Sequence, residues 1–201
     1  AIAFGVAGIL FGLIAGWVIG SQQTLVRQPP PAAAQPAVTA SATPANAPPP
    51  PPLDETQVNA FKTVADRDPK NAEARVQLGN LYFDSEKYQD AIKWYSEAFA
   101  LAPTDVNVST DLGISYYYMS QPDQALQQFA TSLKLDPKHA KTLLNVGVVR
   151  AFGKQDLDGA LQAWQQLVEI SPDSPEGQAA KRALESLKSA HTGAAGPPPG
   201  A

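Results

Sequence analysis

The sequence contains no cysteine among its 201 residues. Without a thiol, the chain cannot form disulfides, zinc–thiolate sites or covalent haem attachments, and it cannot use a cysteine nucleophile. This absence does not identify a compartment, because a domain held together by packing alone suits both oxidising and reducing surroundings. Any folded part must be stabilised by buried apolar surface and hydrogen bonds.

Charge is almost missing from the first 53 residues, where Arg27 is the only ionisable side chain. All 19 acids and the other 14 bases lie between residues 54 and 190, so this segment carries a formal charge of 14 − 19 = −5. Mild acidity argues against a nucleic-acid partner, because phosphate binding requires clustered Lys and Arg.

Residues 1–20, AIAFGVAGILFGLIAGWVIG, are wholly apolar or small. As a helix they would be roughly 30 Å long, the thickness of the hydrocarbon core of a bilayer, which predicts a single transmembrane helix. The alternative is the apolar core of a secretory signal, which is usually about 7–15 residues long and precedes a small-residue cleavage site. This stretch is longer, and no convincing cleavage site follows it. The sequence leaves open whether residues precede Ala1, and the membrane orientation is only weakly determined because the positive-inside rule needs flanking charges.

Four glycines recur at every fourth position of this predicted helix: Gly8, Gly12, Gly16 and Gly20. Small residues at that spacing form a flat strip on which a second membrane helix can pack closely. The strip therefore favours self-association or contact with another membrane subunit. The alternative is that glycine is simply common in membrane helices.

Residues 21–53 are predicted to be a disordered Pro/Ala-rich linker, with ten prolines between residues 28 and 53. Such a composition favours extended polyproline II and cannot bury enough surface to fold. The segment is interpreted as a semi-rigid spacer that reaches up to ~80 Å. Docking of the proline-rich sequence on an aromatic groove is the alternative. Residues 191–201 are predicted to be a disordered tail.

The sequence from residue 72 to residue 174 repeats itself at a spacing of 34 residues. Leu78-Gly79 matches Leu112-Gly113, and a third copy contains Val146-Gly147 with one extra residue within FGKQDLDG (152–159). The other matched positions are Tyr82 and Tyr116; Ala91, Ala125 and Ala160; Tyr95, Phe129 and Trp164; and Pro103, Pro137 and Pro172.

This pattern resembles the tetratricopeptide repeat family, whose 34-residue helix–turn–helix unit carries an L-G-x2-Y core, an A-x3-F core and a closing proline. The resemblance implies an all-α helical solenoid over residues 54–190. Three repeats are expected at about 72–105, 106–139 and 140–174, with flanking helices at 54–68 and 174–190. In the first flanking helix, Phe61 and Val64 are expected to face inward.

The sequence departs from the family pattern at two kinds of position. The usual Trp of the first helix is replaced by Arg75, Ser109 and Leu143, and Arg150 replaces the core Tyr in the third copy. The glycines fit the pattern well, because the lack of a Cβ allows the two helices of a repeat to approach closely. Because Arg150 replaces a core aromatic residue, the packing of the third repeat is harder to predict from the sequence than that of the other two.

No constellation of residues indicates catalysis. His139 and His191 are too far apart in the pattern to form a metal pair, and DLDG (156–159) lacks the twelve-residue ligand pattern of a calcium loop. No nucleophile motif or phosphate-binding glycine loop is present in the charged segment. The sequence predicts neither an enzyme nor a cofactor or metal site.

The resemblance implies that the first helix of each repeat lines a concave protein-binding groove. By alignment, the groove residues are expected to be Val76, Asn80, Phe83, Asp84, Thr110, Ile114, Tyr117, Tyr118, Lys141, Leu144, Asn145, Val148 and Phe152. The aromatic members would offer large contact area, with packing between neighbouring helices as the alternative. A subfamily that binds the C-terminal carboxylate of a chaperone uses two Lys, two Asn and an Arg. Of the equivalent residues here only Asn80 and Lys141 match, and Asp111 would repel a carboxylate.

The favoured hypothesis is a single-pass membrane protein that holds a partner protein, as a subunit or assembly factor of a membrane-associated complex. The repeat domain is expected on the periplasmic side of a bacterial inner membrane. One alternative is an accessory subunit that docks mainly through its glycine-rich membrane helix. A second alternative is an assembly factor of the type found in cytochrome c biogenesis, which the architecture resembles.

Overall fold

The computed structural model describes the backbone of residues 49–194 and the side chains of residues 49–188. The predicted membrane helix 1–20 with its glycine strip, most of the linker, and the end of the tail lie outside the described residues. Within residues 49–194, no helix is both long and apolar enough to span a bilayer.

Eight α-helices and one π-helical segment make up the described part, which contains no strand. The helices are α1 (Glu55–Arg67), α2 (Ala72–Asp84), α3 (Tyr88–Leu101), α4 (Val106–Tyr118), α5 (Pro122–Leu135), α6 (Ala140–Val148), α7 (Leu157–Ile170) and α8 (Pro175–Ala194), with the π-helical segment at Val149–Gly153 between α6 and α7. The all-α fold predicted from the repeats is therefore confirmed for the described residues.

Short polar side chains determine where several helices begin. Asp54, Asn71, Asp105 and Asp156 each precede a helix and accept hydrogen bonds from backbone N–H groups of its first turn. Those N–H groups have no partner within the helix, so each cap stabilises its helix by about 1 kcal/mol. Pro122 occupies the first turn of α5, where its missing N–H costs nothing.

Each repeat is a pair of packed helices: α2 with α3, α4 with α5, and α6 with α7. A Cβ added at Gly79 in α2 would lie 2.5 Å from the ring of Tyr95 in α3, and Gly113 faces Phe129 in the same way. The glycine thus gives the aromatic ring of the second helix room to lie flat on the first helix. This close approach is the physical reason for the repeated glycine.

The turn between the two helices of each repeat contains a residue in the left-handed backbone conformation. Glu86, Ser120 and Gln155 have φ values of 57°, 58° and 56°. In each of the first two repeats a backbone hydrogen bond spans five residues. Lys87 N–H donates to the Tyr82 carbonyl, and Gln121 N–H donates to the Tyr116 carbonyl. In the third repeat, the matching bond from Asp156 to Arg150 spans six residues.

The extra residue of the third repeat is therefore inserted between Arg150 and Asp156. The chain takes it up with the π-helical segment Val149–Gly153, because a π turn holds one residue more than an α turn. This insertion changes the direction of the side chains at the end of the first helix of the repeat.

The flanking helices differ from the prediction in two details. In α1 the buried residues are Val58 and Ala65, whereas Val64 is 42% exposed, so its predicted inward orientation is wrong. The inward stripe of α1 follows the Val58–Ala65 spacing of seven residues, two helical turns. Helix α8 extends to Ala194, four residues beyond the predicted end of the domain at residue 190.

Candidate protein-binding groove

Helices α2, α4 and α6 carry the residues that the resemblance assigned to a groove, and the structure divides these residues by exposure. Phe83, Thr110, Ile114, Leu144, Asn145 and Val148 are buried. Val76, Asn80, Tyr117, Tyr118 and Lys141 are partly exposed, and Asp84 and Phe152 are exposed. The buried group supports packing between neighbouring first helices, so only the second group can touch a partner without rearrangement.

An aromatic cluster joins the first two repeats. The ring of Tyr118 stacks on that of Tyr88, with centroids 4.7 Å apart and an interplanar angle of 14°. Phe83, only 7% exposed, meets both rings edge to face at 5.3 and 5.6 Å. Such pairs stabilise by about 0.5–1.5 kcal/mol beyond the area they bury. Tyr118 therefore packs between repeats as well as presenting surface.

Tyr88 was missed by the sequence reasoning because it lies at the start of the second helix rather than on the groove-lining helix. The sequence does show that Tyr88 lies five residues after Phe83, on the other side of the tight turn that reverses the direction of the chain. Aromatic residues on both sides of such a turn can meet, as these two do.

Among the described residues, the third repeat contributes the most exposed aromatic side chain. Phe152 lies in the π-helical segment and is 56% exposed. The adjacent Gly153 packs tightly on its neighbours, since a Cβ there would be 3.2 Å from the ring of Tyr117 and 2.9 Å from Pro122. Tyr117 in turn has its ring centroid 6.0 Å from that of Tyr118. We refer to Tyr88, Tyr117, Tyr118 and Phe152, which are partly exposed or exposed, as the aromatic strip; the buried Phe83 packs against Tyr88 and Tyr118.

The hydroxyl groups of the strip stay protonated near neutral pH. Burial raises the pKa of Tyr117, and burial together with the charge of Glu86 and the neighbouring Tyr117 raises the pKa of Tyr118 to about 12. Burial likewise raises the pKa of Tyr88. Each hydroxyl can therefore donate a hydrogen bond to a carbonyl group of a ligand.

The polar part of the groove is already paired internally. Lys141 donates to the carboxylate of Asp111, and the hydroxyl of Tyr95 donates to Asn80 Oδ1 at 2.7 Å. Asp84 is near this group. Burial and the negative charge of Asp111 raise the pKa of Asp84. Burial also raises the pKa of Asp111, although Lys141 opposes the effect. The two carboxylates, Asp84 and Asp111, outnumber the single ammonium group of Lys141, so this end of the groove favours cations over anions.

A buried hydroxyl network lies between α4 and α6. Thr110, which is fully buried, donates to the Val106 carbonyl at 2.7 Å and lies 2.7 Å from the hydroxyl of Thr142. Thr142 lies 2.7 Å from Nδ1 of His139, whose Nε2 faces Asn107 Oδ1 at 3.2 Å. Burial lowers the pKa of His139, with Asp136 acting in the opposite direction. These residues fix the first helices of two repeats to each other.

The substitution of Arg150 for a core aromatic leaves a defect beside the third repeat. Its Nη1 donates to Asp156 Oδ2 at 2.8 Å, but its buried Nε has no hydrogen-bond partner. A partly open pocket of about 200 Å³ adjoins it, lined by Leu133, Leu143, Val146 and Ala163 together with Gly159, Gln162 and Gln166. The position where the sequence departs from the pattern thus leaves one buried polar atom without a hydrogen-bond partner.

No group of three or more metal-ligating side chains lies together within the described residues. His139 is engaged with hydroxyl and amide groups rather than with carboxylates. The side chain of His191 lies outside the described residues. The aromatic strip and the Asp84–Asp111–Lys141 group are therefore the features of this surface that can recognise a ligand.

Comparison with known families matches this chain to sequence models of the tetratricopeptide repeat at residues 70–138 and 110–175. Together these matches cover more than half of the chain. They include all three helix pairs described above.

Two curated relatives and one solved structure show the breadth of the likeness. Hsp70-Hsp90 organizing protein 3 of Arabidopsis thaliana is 28% identical over 127 residues, which are 63% of this chain and 23% of that protein. BBSome complex member BBS4 of Bos taurus is 30% identical over 122 residues, 61% of this chain and 23% of that protein. The chain thus spans less than a quarter of either relative.

The solved structure is the first TPR of Spaghetti (RPAP3) bound to the HSP90 peptide SRMEEVD. It covers 61% of this chain and 97% of its own, with a TM-score of 0.55 and 23% sequence identity. This likeness shows the fold alone.

Proposed function

Because this chain belongs to the tetratricopeptide repeat family, we propose that it is a non-enzymatic scaffold that binds a partner protein. The observation that carries this proposal is the exposure of Phe152 and the partial exposure of Tyr117 and Tyr118, which follow the first helices of two successive repeats or lie at their ends. Exposed aromatic side chains on a rigid framework are typical anchors of protein interfaces. The partner would pack apolar groups on the aromatic strip and accept hydrogen bonds from its tyrosines.

The experiment is affinity capture from mild-detergent membranes with full-length chains that differ at one exposed residue. Phe152→Ser removes the most exposed ring of the strip, whereas Tyr118→Ala would also disturb packing against Tyr88. Leu135→Ser is the matched control, because Leu135 is 39% exposed but lies at the end of α5, outside the strip. We expect Phe152→Ser to reduce recovery of specific partners at least about tenfold, the effect of losing ~1.4 kcal/mol. Equal recovery with both variants would refute this assignment.

We further propose that residues 1–20 anchor the scaffold in a membrane and that the linker holds it away from the surface. The support is the length and apolarity of this stretch and the absence of charge within it. In this proposal the protein is a subunit or assembly factor of a membrane-associated complex, with the repeats on the periplasmic side of a bacterial inner membrane. Carbonate extraction and protease accessibility in spheroplasts test the anchor and the orientation; release from membranes by carbonate would exclude the anchor.

The glycine strip supports a second candidate, in which Gly8, Gly12, Gly16 and Gly20 make the main contact with the complex. Replacing residues 1–20 with an unrelated, glycine-free membrane helix separates the two proposals. Retained association supports binding through the repeats, whereas loss of association supports docking through the membrane helix. A role in cytochrome c assembly is a narrower form of the first proposal, and it requires that deletion impair maturation of c-type cytochromes.

A further inference from the structure

One position of the repeat changes its chemistry from copy to copy. Asp84, Tyr118 and Phe152 follow one another at the 34-residue spacing of the repeat, so they occupy equivalent positions. Each of these side chains is exposed or partly exposed. Stacked repeats present equivalent positions one after another, because each repeat is related to the next by a similar small rotation. A ligand that crosses the three repeats therefore meets a carboxylate, then a phenol, then a phenyl group.

Contacts between neighbouring repeats join these three positions. Phe83 directly precedes the carboxylate, and its ring centroid lies 5.6 Å from that of Tyr118. Gly153 directly follows the phenyl group, and a Cβ there would lie 3.2 Å from the ring of Tyr117. The first and the third of the three positions thus both adjoin the end of α4, and one bound segment can reach all of them.

Asp84 is the charged member of this set, and it lacks a counter-charge. No hydrogen bond or ion pair joins its carboxylate to another group within residues 49–188. The nearby Asp111, by contrast, is held by Lys141. Partial burial and the negative charge of Asp111 both raise the pKa of Asp84, which means that the protein solvates its ionised form poorly. A cationic group beside Asp84 would offset both effects.

The ends of the first helices add to the negative potential at this point. Asp84 is the last residue of α2 and Tyr118 is the last residue of α4, and carbonyl groups at the end of a helix carry partial negative charge. Neither helix has a basic residue in its last turn. Glu86 and Lys87, which follow in the turn, cancel in formal charge. The potential therefore comes from Asp84 and the helix ends, and it favours a cation.

The aromatic rings extend this match to a whole basic side chain. The aliphatic stem of a Lys or Arg packs on aromatic surface while its charged head stays in a polar setting, and the face of a tyrosine ring attracts the cation itself. An acidic side chain at the same place would meet repulsion from Asp84, and an apolar one would leave that carboxylate without a counter-charge.

We propose that the partner segment that binds the aromatic strip carries a Lys or Arg whose cationic group pairs with Asp84, and an apolar residue that packs on Phe152. This inference rests on the proposed function and names the chemistry of the partner at the same site. Neighbouring packed helices are about 8–10 Å apart, so the two anchors are separated by roughly 16–20 Å. An extended segment rises about 3.3 Å per residue, which places the basic and apolar residues about five or six positions apart.

A peptide selection tests the proposal without knowledge of the partner. A random peptide display library is selected on the full-length chain in mild-detergent micelles, with empty micelles to remove peptides that bind detergent. We expect Lys and Arg to be enriched several-fold over the input library. Asp84→Asn should remove this enrichment, and Asp84→Lys should replace it with enrichment of Asp and Glu. Asp66→Asn is the matched control, because it removes the same charge from an exposed position of α1 and should change nothing.

Fluorescence polarisation with the enriched peptides measures the contribution of the ion pair. Asp84→Asn should weaken their binding about three- to tenfold, an effect between those of exposed and desolvated ion pairs. High salt should weaken binding to the native chain and have less effect on Asp84→Asn. Circular dichroism and urea midpoints establish that the variant is folded, which we expect because a neutral residue suits the end of a helix better than a carboxylate does.

Four outcomes would overturn the proposal. The first is a selection without enrichment of Lys and Arg, and the second is a selection that yields no specific peptide. The third is enrichment that persists in Asp84→Asn, which would place the cation against another group. The fourth is peptide binding that EDTA abolishes, which would make a metal ion the occupant.

The variant Phe152→Ser distinguishes this inference from the proposed function. If Phe152→Ser reduces recovery of partners while the selected peptides show no preference for Lys and Arg, the proposed function stands and the inference fails. If the preference for Lys and Arg depends on Asp84 while recovery of partners is insensitive to Phe152→Ser, the cation site stands and the assignment of the aromatic strip fails.

Discussion

Lys141 in the third repeat donates a hydrogen bond to the carboxylate of Asp111 in the second, and this ion pair joins two first helices across the groove. Both side chains are largely shielded from water, so each charge depends on the other for solvation. The pair therefore acts as a structural link, and it leaves Lys141 unable to serve as a free anion-binding group.

We predict that Lys141→Ala lowers the free energy of unfolding by about 1–3 kcal/mol but does not abolish partner binding. The loss arises because the Asp111 carboxylate would remain partly buried without a counter-charge. Urea denaturation measures the stability, and affinity capture measures the binding. Asp111→Asn is the matched variant, and it should cost less because an amide needs no counter-charge. Complete loss of partner recovery with a folded Lys141→Ala protein would assign Lys141 to the binding site.

An acidic peptide such as SRMEEVD, the ligand in the RPAP3 structure, should not bind this chain. The groove offers Asp84 and Asp111 against a single paired lysine, so a peptide rich in carboxylates meets net repulsion. Fluorescence polarisation with a labelled peptide should show no saturation up to roughly 1 mM, a binding free energy weaker than about −4 kcal/mol. Saturable, salt-sensitive binding in the micromolar range would show that the ion pair opens for ligands.

Gly79 is a position where the close packing of the two helices of a repeat should not tolerate a larger side chain. Gly79→Ala should lower the free energy of unfolding by about 1–3 kcal/mol, because its Cβ would overlap the ring of Tyr95. Helix propensity alone favours Ala over Gly by about 1 kcal/mol, so the net loss is smaller than the cost of the clash by about that amount. Thermal denaturation provides the test. In a Tyr95→Leu background the cost of Gly79→Ala should shrink; an unchanged cost would place the clash elsewhere.

The residues that could be predicted from sequence are those whose role depends on local spacing. Gly79 and Tyr95 recur every 34 residues because every repeat solves the same packing problem, and the pattern therefore reveals the helix pair and its core. Surface roles are different, since they depend on residues from separate repeats. Tyr118 could be placed on the groove-facing helix, but its stacking on Tyr88, thirty residues earlier, is set by how two repeats dock.

The insertion in the third repeat shows a second limit. The sequence shows one extra residue in or near FGKQDLDG, yet an insertion can be accommodated by a longer loop or by a π turn. The structure contains the π turn, and Phe152 is consequently exposed instead of packing as Tyr118 does. After the π turn, Asp156 caps α7 and accepts a hydrogen bond from Arg150, a contact that no periodicity encodes.

Arg150→Tyr should raise the free energy of unfolding by about 1 kcal/mol. The substitution restores the residue type of Tyr82 and Tyr116, removes a buried guanidinium nitrogen without a partner, and places apolar surface against the adjoining open pocket of about 200 Å³. Asp156 keeps its cap on α7 through Oδ1. Denaturant titration against Asp156→Asn, which weakens only the ion pair, gives the comparison. A clear decrease for Arg150→Tyr would mean that the π turn excludes an aromatic ring there.

Stability should rise with pH as His139 loses its proton. Burial lowers the pKa of this imidazole below the 6.5 expected for the unfolded chain. The carboxylates of Asp136, Asp111 and Glu176 raise the pKa, whereas the charge of Lys141 lowers it, as burial does. Between the folded pKa and 6.5 the unfolded state therefore binds more protons, so the contribution of His139 is fully present above pH 6.5 and is lost as the pH falls below it. Urea midpoints between pH 5 and pH 7.5 measure this slope. His139→Gln should flatten this slope, whereas His191→Gln, which removes the second histidine, should leave it unchanged.

The raised pKa of Asp111 contributes to the pH dependence with the opposite sign, because protonation of that carboxyl group is favoured in the folded state. The contribution of His139 is therefore the difference between the native and His139→Gln profiles, and a difference that is flat across pH 5 to 7 would mean that the hydroxyl network around Thr142 accepts the imidazolium as readily as water does.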